Sequence, residues 1–333
     1  MPNKLKLFFG INSASLQAFG GGGSGGGPNI LEAFLGELKD YDVEFVVPND
    51  DNSDLTQQVA DVDIIVPAVA TITEETINAA KNLKGIVQAG VGLDTVNIDA
   101  ATKRNIPVVN EPEGSAIAMG EYAFVLLLNT IKKIPESIRM MNDGVFFQPT
   151  SFEIAGKTLG LIGLGRSARE FLKRIRPFDV KIIGIDKYPE NMENLELDFL
   201  GGIDKLDYLL ENSDIVSIHC PANDETKGLI NYEKICKMKS SAILINLARA
   251  SIIDKEGFIK AMKENKISGA GLDVFWQEPM DADDELLQLP NVFSTPHIAT
   301  STVEARFRVF KETAINIKKI LKGEIPASCV NLK

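Results

Sequence analysis

Two histidines occur in the chain, His219 and His297, and histidine is the side chain best suited to giving or taking a proton near neutral pH. Each stands just beyond a short apolar run. His297 follows residues 292–294 by way of Thr295-Pro296, and His219 follows residues 215–218 and precedes Cys220-Pro221. Asp186, Arg249 and Asp273 also stand where apolar runs stop. If these runs are strands of an open α/β sheet, their carboxyl ends line one crevice, and the polar residues gather there. His297 is the expected proton-transfer residue. His219, on a middle run, reads as a packed and hydrogen-bonded core histidine.

A second chemical signal is Gly163-Leu-Gly165-Arg166-Ser167-Ala168, which follows the apolar run 158–162 and opens a helical pattern over residues 169–175. That is the context of a dinucleotide-binding turn. Glycine at 163 permits the tight turn, glycine at 165 admits a pyrophosphate close to the backbone, and alanine at 168 lets helix pack on strand. The N–H groups of the helix start then face the phosphates. The run 180–185 ends at Asp186, whose carboxylate can bond both ribose hydroxyls of an adenosine and repel a 2′-phosphate, so NAD is expected over NADP. Lys187, next in the chain, works against that discrimination. Residues 20–27 read GGGGSGGG and satisfy the same bare glycine pattern, but their composition is that of a flexible, designed-looking linker.

The elements that must hold these residues alternate between apolar runs and helical patterns. Runs at 5–9, 43–47, 62–66 and 85–87 form a first set of strands. Runs at 158–162, 180–185, 215–218, 242–247, 269–274 and 292–294 form a second, a six-strand doubly wound sheet. Between the sets, Ser115 can cap a helix whose residues 122–128 are apolar all round, as expected of a helix buried on every side, in part by a second subunit. The last helical segment, 302–321, returns to the first domain. The expected organisation is therefore residues 1–109 with 301–333 as one α/β domain and residues 110–300 as the other, with hinges near Asn110 and Thr300.

Composition excludes other classes. At 333 residues with 44% hydrophobic and 24% charged residues the chain suits two globular domains. A net charge of −11 opposes nucleic acid and anionic lipid. No apolar stretch reaches the roughly 20 residues of a bilayer span, and the start of the chain does not read as a signal peptide. Cys220, Cys236 and Cys329 are odd in number and lack a metal-ligand spacing, which fits a reducing cytoplasm and three small packing residues, with no metal.

Several segments then occur together and in order. Asn246-Leu247-Ala248-Arg249-Ala-Ser-Ile-Ile-Asp254, Gly271-Leu-Asp273-Val-Phe-Trp-Gln-Glu278-Pro279 and Thr295-Pro296-His297-Ile298 resemble the signature segments of the D-isomer-specific 2-hydroxyacid dehydrogenases. Gly90-Val91-Gly92-Leu93-Asp94 and Ser213-Asp214 through Pro221 to Thr226 add to the likeness, which spans residues 62–331. The resemblance implies two Rossmann-like or flavodoxin-like domains, the first being the substrate domain and the second the NAD-binding domain, with the active site in the cleft between them. It implies that Arg249 grips a substrate carboxylate, that His297 exchanges the proton and that Glu278 orients the imidazole. Cofactor contacts implied are Gly163, Gly165, Arg166, Ser167, Asp186, Cys220, Pro221, Thr226, Leu247, Ala248, Arg249, Asp273, His297, Ala299 and Thr300. Substrate contacts implied are Val69, the backbone N–H groups of Val91 and Gly92, Arg249 and His297. A homodimer is expected.

The chain departs from the family pattern at Ala250, at Ala299-Thr300 and at Gly120, and the first two are expected to narrow the pocket beside the nicotinamide. Formate dehydrogenases in the family carry glutamine where Glu278 stands. Phosphoglycerate dehydrogenases carry arginines after the third strand, where this chain has Pro67-Ala-Val-Ala-Thr71. A pocket edged by Pro67, Val69 and Trp276 suits glyoxylate, hydroxypyruvate, pyruvate or a larger apolar 2-oxo acid. The alternative from another class is an NAD-sensing module of the corepressor type, built on the same fold.

Overall fold

The computed structural model describes residues 3–11, 29–48, 54–192 and 194–332. The glycine run at 20–27 lies outside them. The chain divides into two compact units, Met1–Ser115 with Ser301–Lys333, and Ala116–Thr300.

In the first unit, strands β1 (Asn3–Phe9), β2 (Tyr41–Val46), β3 (Ile64–Val66), β4 (Gly85–Val87) and β5 (Val108–Val109) form a parallel sheet in the order β2-β1-β3-β4-β5. Strands β3 to β5 are buried at every residue. Helices cover both faces of these three strands, so apolar residues run continuously along them, whereas the edge strand β2 alternates. The helix Val303–Leu321 supplies Phe310, Ala314, Ile317 and Ile320 to the core made by Leu5, Leu7 and Phe9. Thr302 starts that helix, its hydroxyl accepting from the N–H of Ala305 at 3.1 Å. Phe9 and Phe310 stack with centroids 5.8 Å apart.

In the second unit, β6 (Thr158–Ile162), β7 (Lys181–Ile185), β8 (Phe199–Gly201), β9 (Ile215–Ile218), β10 (Ile243–Asn246), β11 (Gly269–Leu272) and β12 (Val292–Ser294) form a seven-stranded sheet, β12-β11-β10-β9-β6-β7-β8, with parallel pairing throughout. The expected six strands are thus seven. The extra one, β8, is a three-residue edge strand of half-buried residues that carries neither a long apolar run nor an alternation. After β8 the chain crosses to β9 on the other side of β6, and the switch point at the carboxyl ends of β6 and β9 is where such sheets bind ligands.

The helix Ala116–Ile131 buries Ala123, Leu126, Leu127 and Ile131 against this sheet while Ile117 and Val125 remain exposed, so it is not enclosed on every side within the chain. Gly120 lies at its crossing with the helix Arg166–Ile175. A Cβ there would stand 2.5 Å from Cβ of Glu170 and 2.7 Å from the backbone nitrogen of Phe171. The departure at Gly120 is therefore a steric requirement of two closely crossed helices. Alanine would gain up to about 1 kcal/mol of helix propensity, but overlap with backbone costs about 1–3 kcal/mol. Gly120→Ala is expected to lower the thermal midpoint by about 2–8 °C. An unchanged or raised midpoint in calorimetry would show that the helices separate without cost.

Candidate active site

The five residues beyond β7, β9, β10, β11 and β12 are placed by different local devices, and those around β12 are the most constrained. Asp273, immediately after β11, is fully buried. One of its carboxylate oxygens accepts from the Thr295 hydroxyl at 2.6 Å and the Ile298 N–H at 3.0 Å, and the other from the Ala299 N–H at 2.7 Å. Burial pushes its pKa up, against the lowering effect of those three donors. The carboxylate thereby fastens the turn that carries His297. That turn holds His297 at φ +52°, a left-handed conformation a non-glycine residue adopts only when its surroundings demand it.

Within the turn, His297 Nδ1 lies 2.6 Å from Oε2 of Glu278, and the other Glu278 oxygen accepts from the Phe275 N–H at 2.8 Å. The hydrogen bond to Glu278 raises the His297 pKa, opposed by partial burial. For Glu278 burial acts upward, but the bonds from His297 and Phe275 and the nearby Arg249 charge outweigh it, and its pKa is lowered. Both shifts favour the carboxylate–imidazolium form of the pair, with Nδ1 committed to Glu278.

Arg249 follows β10 and leads into a short 3₁₀ turn, Ala250–Ile252. Its Nη1 donates to the Ala248 carbonyl at 2.8 Å, and its charge acts on both Glu278 and His297. Buried Asn246 shapes that turn: its side chain donates to the Arg249 carbonyl and accepts from the Ala248 N–H, each at 3.0 Å. Neither Asn246 nor Thr295 was assigned a role from sequence. The signal for Asn246 is an asparagine at a strand end two residues before a turn, where it can mimic a backbone turn.

His219 does not join this group. It is buried, its Nδ1 lies 3.1 Å from the Ser167 hydroxyl, its Nε2 lies 2.9 Å from the Ser217 hydroxyl, and its ring stacks on Phe171. Burial pushes its pKa down to about 3, so it is a neutral core histidine, as the sequence suggested. It ties the glycine turn to β9.

That turn fits a dinucleotide. Gly163 has φ +90°, and a Cβ there would lie 2.6 Å from the Cys220 nitrogen, whereas a Cβ at Gly165 would meet nothing within 4 Å. Gly165 precedes a ten-residue helix with no side-chain cap on its first N–H groups, which leaves Arg166, Ser167 and Ala168 to present theirs to a phosphate. Asp186 stands at the end of β7, one oxygen accepting from the Leu164 N–H at 2.8 Å. Beyond β9, Thr226 donates to the Pro221 carbonyl at 2.7 Å and closes the loop that begins at Cys220. Among the described residues no group of three or more His, Cys, Asp or Glu is placed to hold a metal, and no helix is long and apolar enough to cross a membrane.

Ala250 and Ala299 are buried within the second unit. Trp276 is half-buried, packs on Phe258 and donates to the Ile253 carbonyl at 2.8 Å, and Pro67 is buried. Cys236 is exposed, not a packing residue. In the first unit Val69 is 76% exposed and Val91 is also exposed. The Val91 carbonyl accepts from Asn110 at 2.8 Å, and the Gly92 carbonyl from Gln88 at 3.1 Å.

Residues 124–299 match the model of the "D-isomer specific 2-hydroxyacid dehydrogenase, NAD binding domain". The chain is 40% identical over 293 residues to a glyoxylate reductase of Thermofilum pendens, covering 84% of each protein. It is 37% identical over 284 residues to a D-3-phosphoglycerate dehydrogenase of Methanocaldococcus jannaschii, covering 84% of this chain but only 53% of that longer protein. Among solved structures, the NAD-dependent formate dehydrogenase of Staphylococcus aureus in complex with NAD superposes with a TM-score of 0.81 at 27% identity, over 96% of each chain. With its NAD-binding turn, its seven-stranded parallel sheet and the signature segments in order, the chain belongs to the D-isomer-specific 2-hydroxyacid dehydrogenases.

Proposed function

We propose that the chain interconverts a small 2-oxo acid and its D-2-hydroxy acid with NAD, through Arg249, Glu278 and His297. The observation that carries this reading is the Glu278–His297 bond of 2.6 Å beside the Arg249 charge. Arg249 offers a planar fork of donors to the substrate carboxylate and carbonyl oxygen. His297 Nε2 gives its proton to that oxygen during reduction and takes it back during oxidation, while Glu278 stabilises the imidazolium. A bound nicotinamide supplies or receives the hydride at the carbonyl carbon. Gly163, Gly165, Arg166, Ser167 and Asp186 are assigned to the cofactor's phosphates and ribose, with the loop from Cys220 and Pro221 to Thr226 beside them. Leu247, Ala248, Asp273, Ala299 and Thr300 are assigned to its nicotinamide side, and Val69, Val91 and Gly92 to the substrate.

For the substrate, glyoxylate, hydroxypyruvate or a related small acid is favoured by the 40% identity to a glyoxylate reductase over most of both proteins. Phosphoglycerate is disfavoured because residues 67–71 contain no cation to meet a phosphate dianion. The three free cysteines suit a reducing, cytoplasmic setting.

A homodimer completes the proposal. The helix Ile134–Asn142 has no buried residue, and it aligns Ile134, Ile138 and Met141 on one face at helical spacing. Phe146 and the fully exposed Phe147 follow it. Light scattering is expected to give about twice the chain mass of 36.3 kDa, and the pair Ile138→Asp and Phe147→Asp to give monomers. A monomer mass for the unmodified protein at tens of micromolar would remove the dimer.

His297→Ala is expected to lose turnover by roughly 10²–10⁴-fold with NADH affinity little changed. Reduction requires the imidazolium. Because Glu278 raises the His297 pKa, the reductive rate should hold below that pKa and fall as pH rises through it, while oxidation rises over the same range. Glu278→Gln keeps a hydrogen bond but removes the charge, so the upper limit of reduction should move to lower pH. Near-full activity in His297→Ala, or an unmoved limit in Glu278→Gln, would sink the assignment. NADH binding without turnover of any 2-oxo acid would favour a sensing module instead.

A further inference from the structure

Lys187 follows Asp186 directly, and its charge works against the preference for NAD that Asp186 sets. Asp186 is fixed against the glycine turn, one oxygen on the Leu164 N–H at 2.8 Å and the other on the Tyr188 N–H at 3.0 Å. A carboxylate so held refuses a 2′-phosphate, yet an adjacent ammonium on a flexible stem would offer that phosphate a counter-charge. The Lys187 ammonium is instead taken by Glu225, at 2.8 Å from one carboxylate oxygen and 2.6 Å from the other. Lys187 follows β7 and Glu225 lies in the loop after β9, and these are the two strands that flank β6 and its glycine turn.

Glu225 does not rely on the lysine for its position. Asn223 Oδ1 accepts from the Glu225 N–H at 2.9 Å and the Thr226 N–H at 3.1 Å. The Thr226 hydroxyl accepts from the Asn223 N–H at 2.9 Å and donates to the Pro221 carbonyl at 2.7 Å. The acid is therefore presented by a preformed turn, and together with Asp186 it leaves one net negative charge around Lys187.

We propose that Glu225 is a specificity-determining residue for the cofactor: by holding Lys187 it withdraws the cation that would otherwise receive a 2′-phosphate, and so preserves the preference for NAD that Asp186 sets. The proposal rests on the dinucleotide site described above. The side chains of Lys187 and Glu225 are 53% and 63% exposed, so solvent and salt screen the pair and the effect is a few-fold change.

The test is calorimetric titration of the purified protein with two probes, adenosine 5′-monophosphate and adenosine 2′,5′-bisphosphate. Glu225→Gln should tighten the bisphosphate about 3–5-fold relative to the monophosphate at low salt, with the gain shrinking as salt is added. Lys187→Gln should weaken it, and in the double variant the gain should vanish, because the lysine is the group released. The NADPH-to-NADH ratio of kcat/KM should move in the same direction. The monophosphate affinity reports whether each variant is folded, and Glu225→Ala serves as a second variant. An unchanged ratio in Glu225→Gln would overturn the proposal, as would an equal gain with Lys187 absent, which would mean that only a repelling charge had been removed. If the unmodified protein bound neither probe, the dinucleotide site itself would fall, a failure distinct from that of Glu225.

Discussion

The buried carboxylate of Asp273 is the constraint on which the rest of the candidate site depends. It takes a hydroxyl and two backbone N–H groups from residues 295–299, and being fully buried it has no water to take in their place. Leaving such a group without partners costs at least about 1–3 kcal/mol, which favours the one arrangement of the turn that supplies all three donors. That arrangement puts His297 at positive φ and within reach of Glu278, which is itself fastened to the Phe275 N–H on the segment just after Asp273. The Glu278–His297 pair is thus assembled from the segments that follow two neighbouring strands, β11 and β12, joined by the buried Asp273 carboxylate. Burial pushes the Asp273 pKa up, and the three donors act against it, so they support the charged form in a place that water does not reach.

A similar economy holds at the switch point. Gly163 brings the turn after β6 against the Cys220 nitrogen after β9, and His219 bonds Ser167 on one side and Ser217 on the other. Both histidines therefore end strands of one sheet, but their surroundings separate them. His219 meets only hydroxyls and an aromatic face in full burial, which favours the neutral ring. His297 meets a carboxylate near solvent, which favours the charged one. The same side chain becomes a structural bridge in one place and a proton-transfer candidate in the other.

Much of this was legible in the sequence because long, buried, parallel strands announce themselves as apolar runs, and because a residue just past such a run must lie at its carboxyl end. Asp186, Arg249, Asp273 and His297 all stand where that rule put them. What escaped was governed by packing at a distance. Edge strand β8 and the two-residue β5 are too short to leave a periodic signature. The roles of Asn246 and Glu225 depend on partners that only the folded chain supplies. The indole N–H of Trp276 likewise has its partner in the Ile253 carbonyl, 23 residues earlier in the chain.

The division of labour between reaction and substrate follows from where charge is available. Hydride and proton exchange need a carboxylate-gripping cation and a titrating base, and Arg249, Glu278 and His297 lie in one unit and act electrostatically on one another. Substrate choice among 2-oxo acids turns instead on what meets the group beyond the carbonyl carbon, and in the proposed reading the turn after β3 serves that end. Ala68 there has φ +51°, and its carbonyl accepts from Gln88 at 3.0 Å, so the turn is braced by a neutral amide. Val69 projects from it into solvent. A phosphate tail would require at least one cation on such a turn to offset its dehydration, and a hydroxymethyl group or a hydrogen would not. The proposed catalytic residues are therefore compatible with either substrate, and it is the absence of charge at residues 67–71, not any feature of His297, that favours small, uncharged tails.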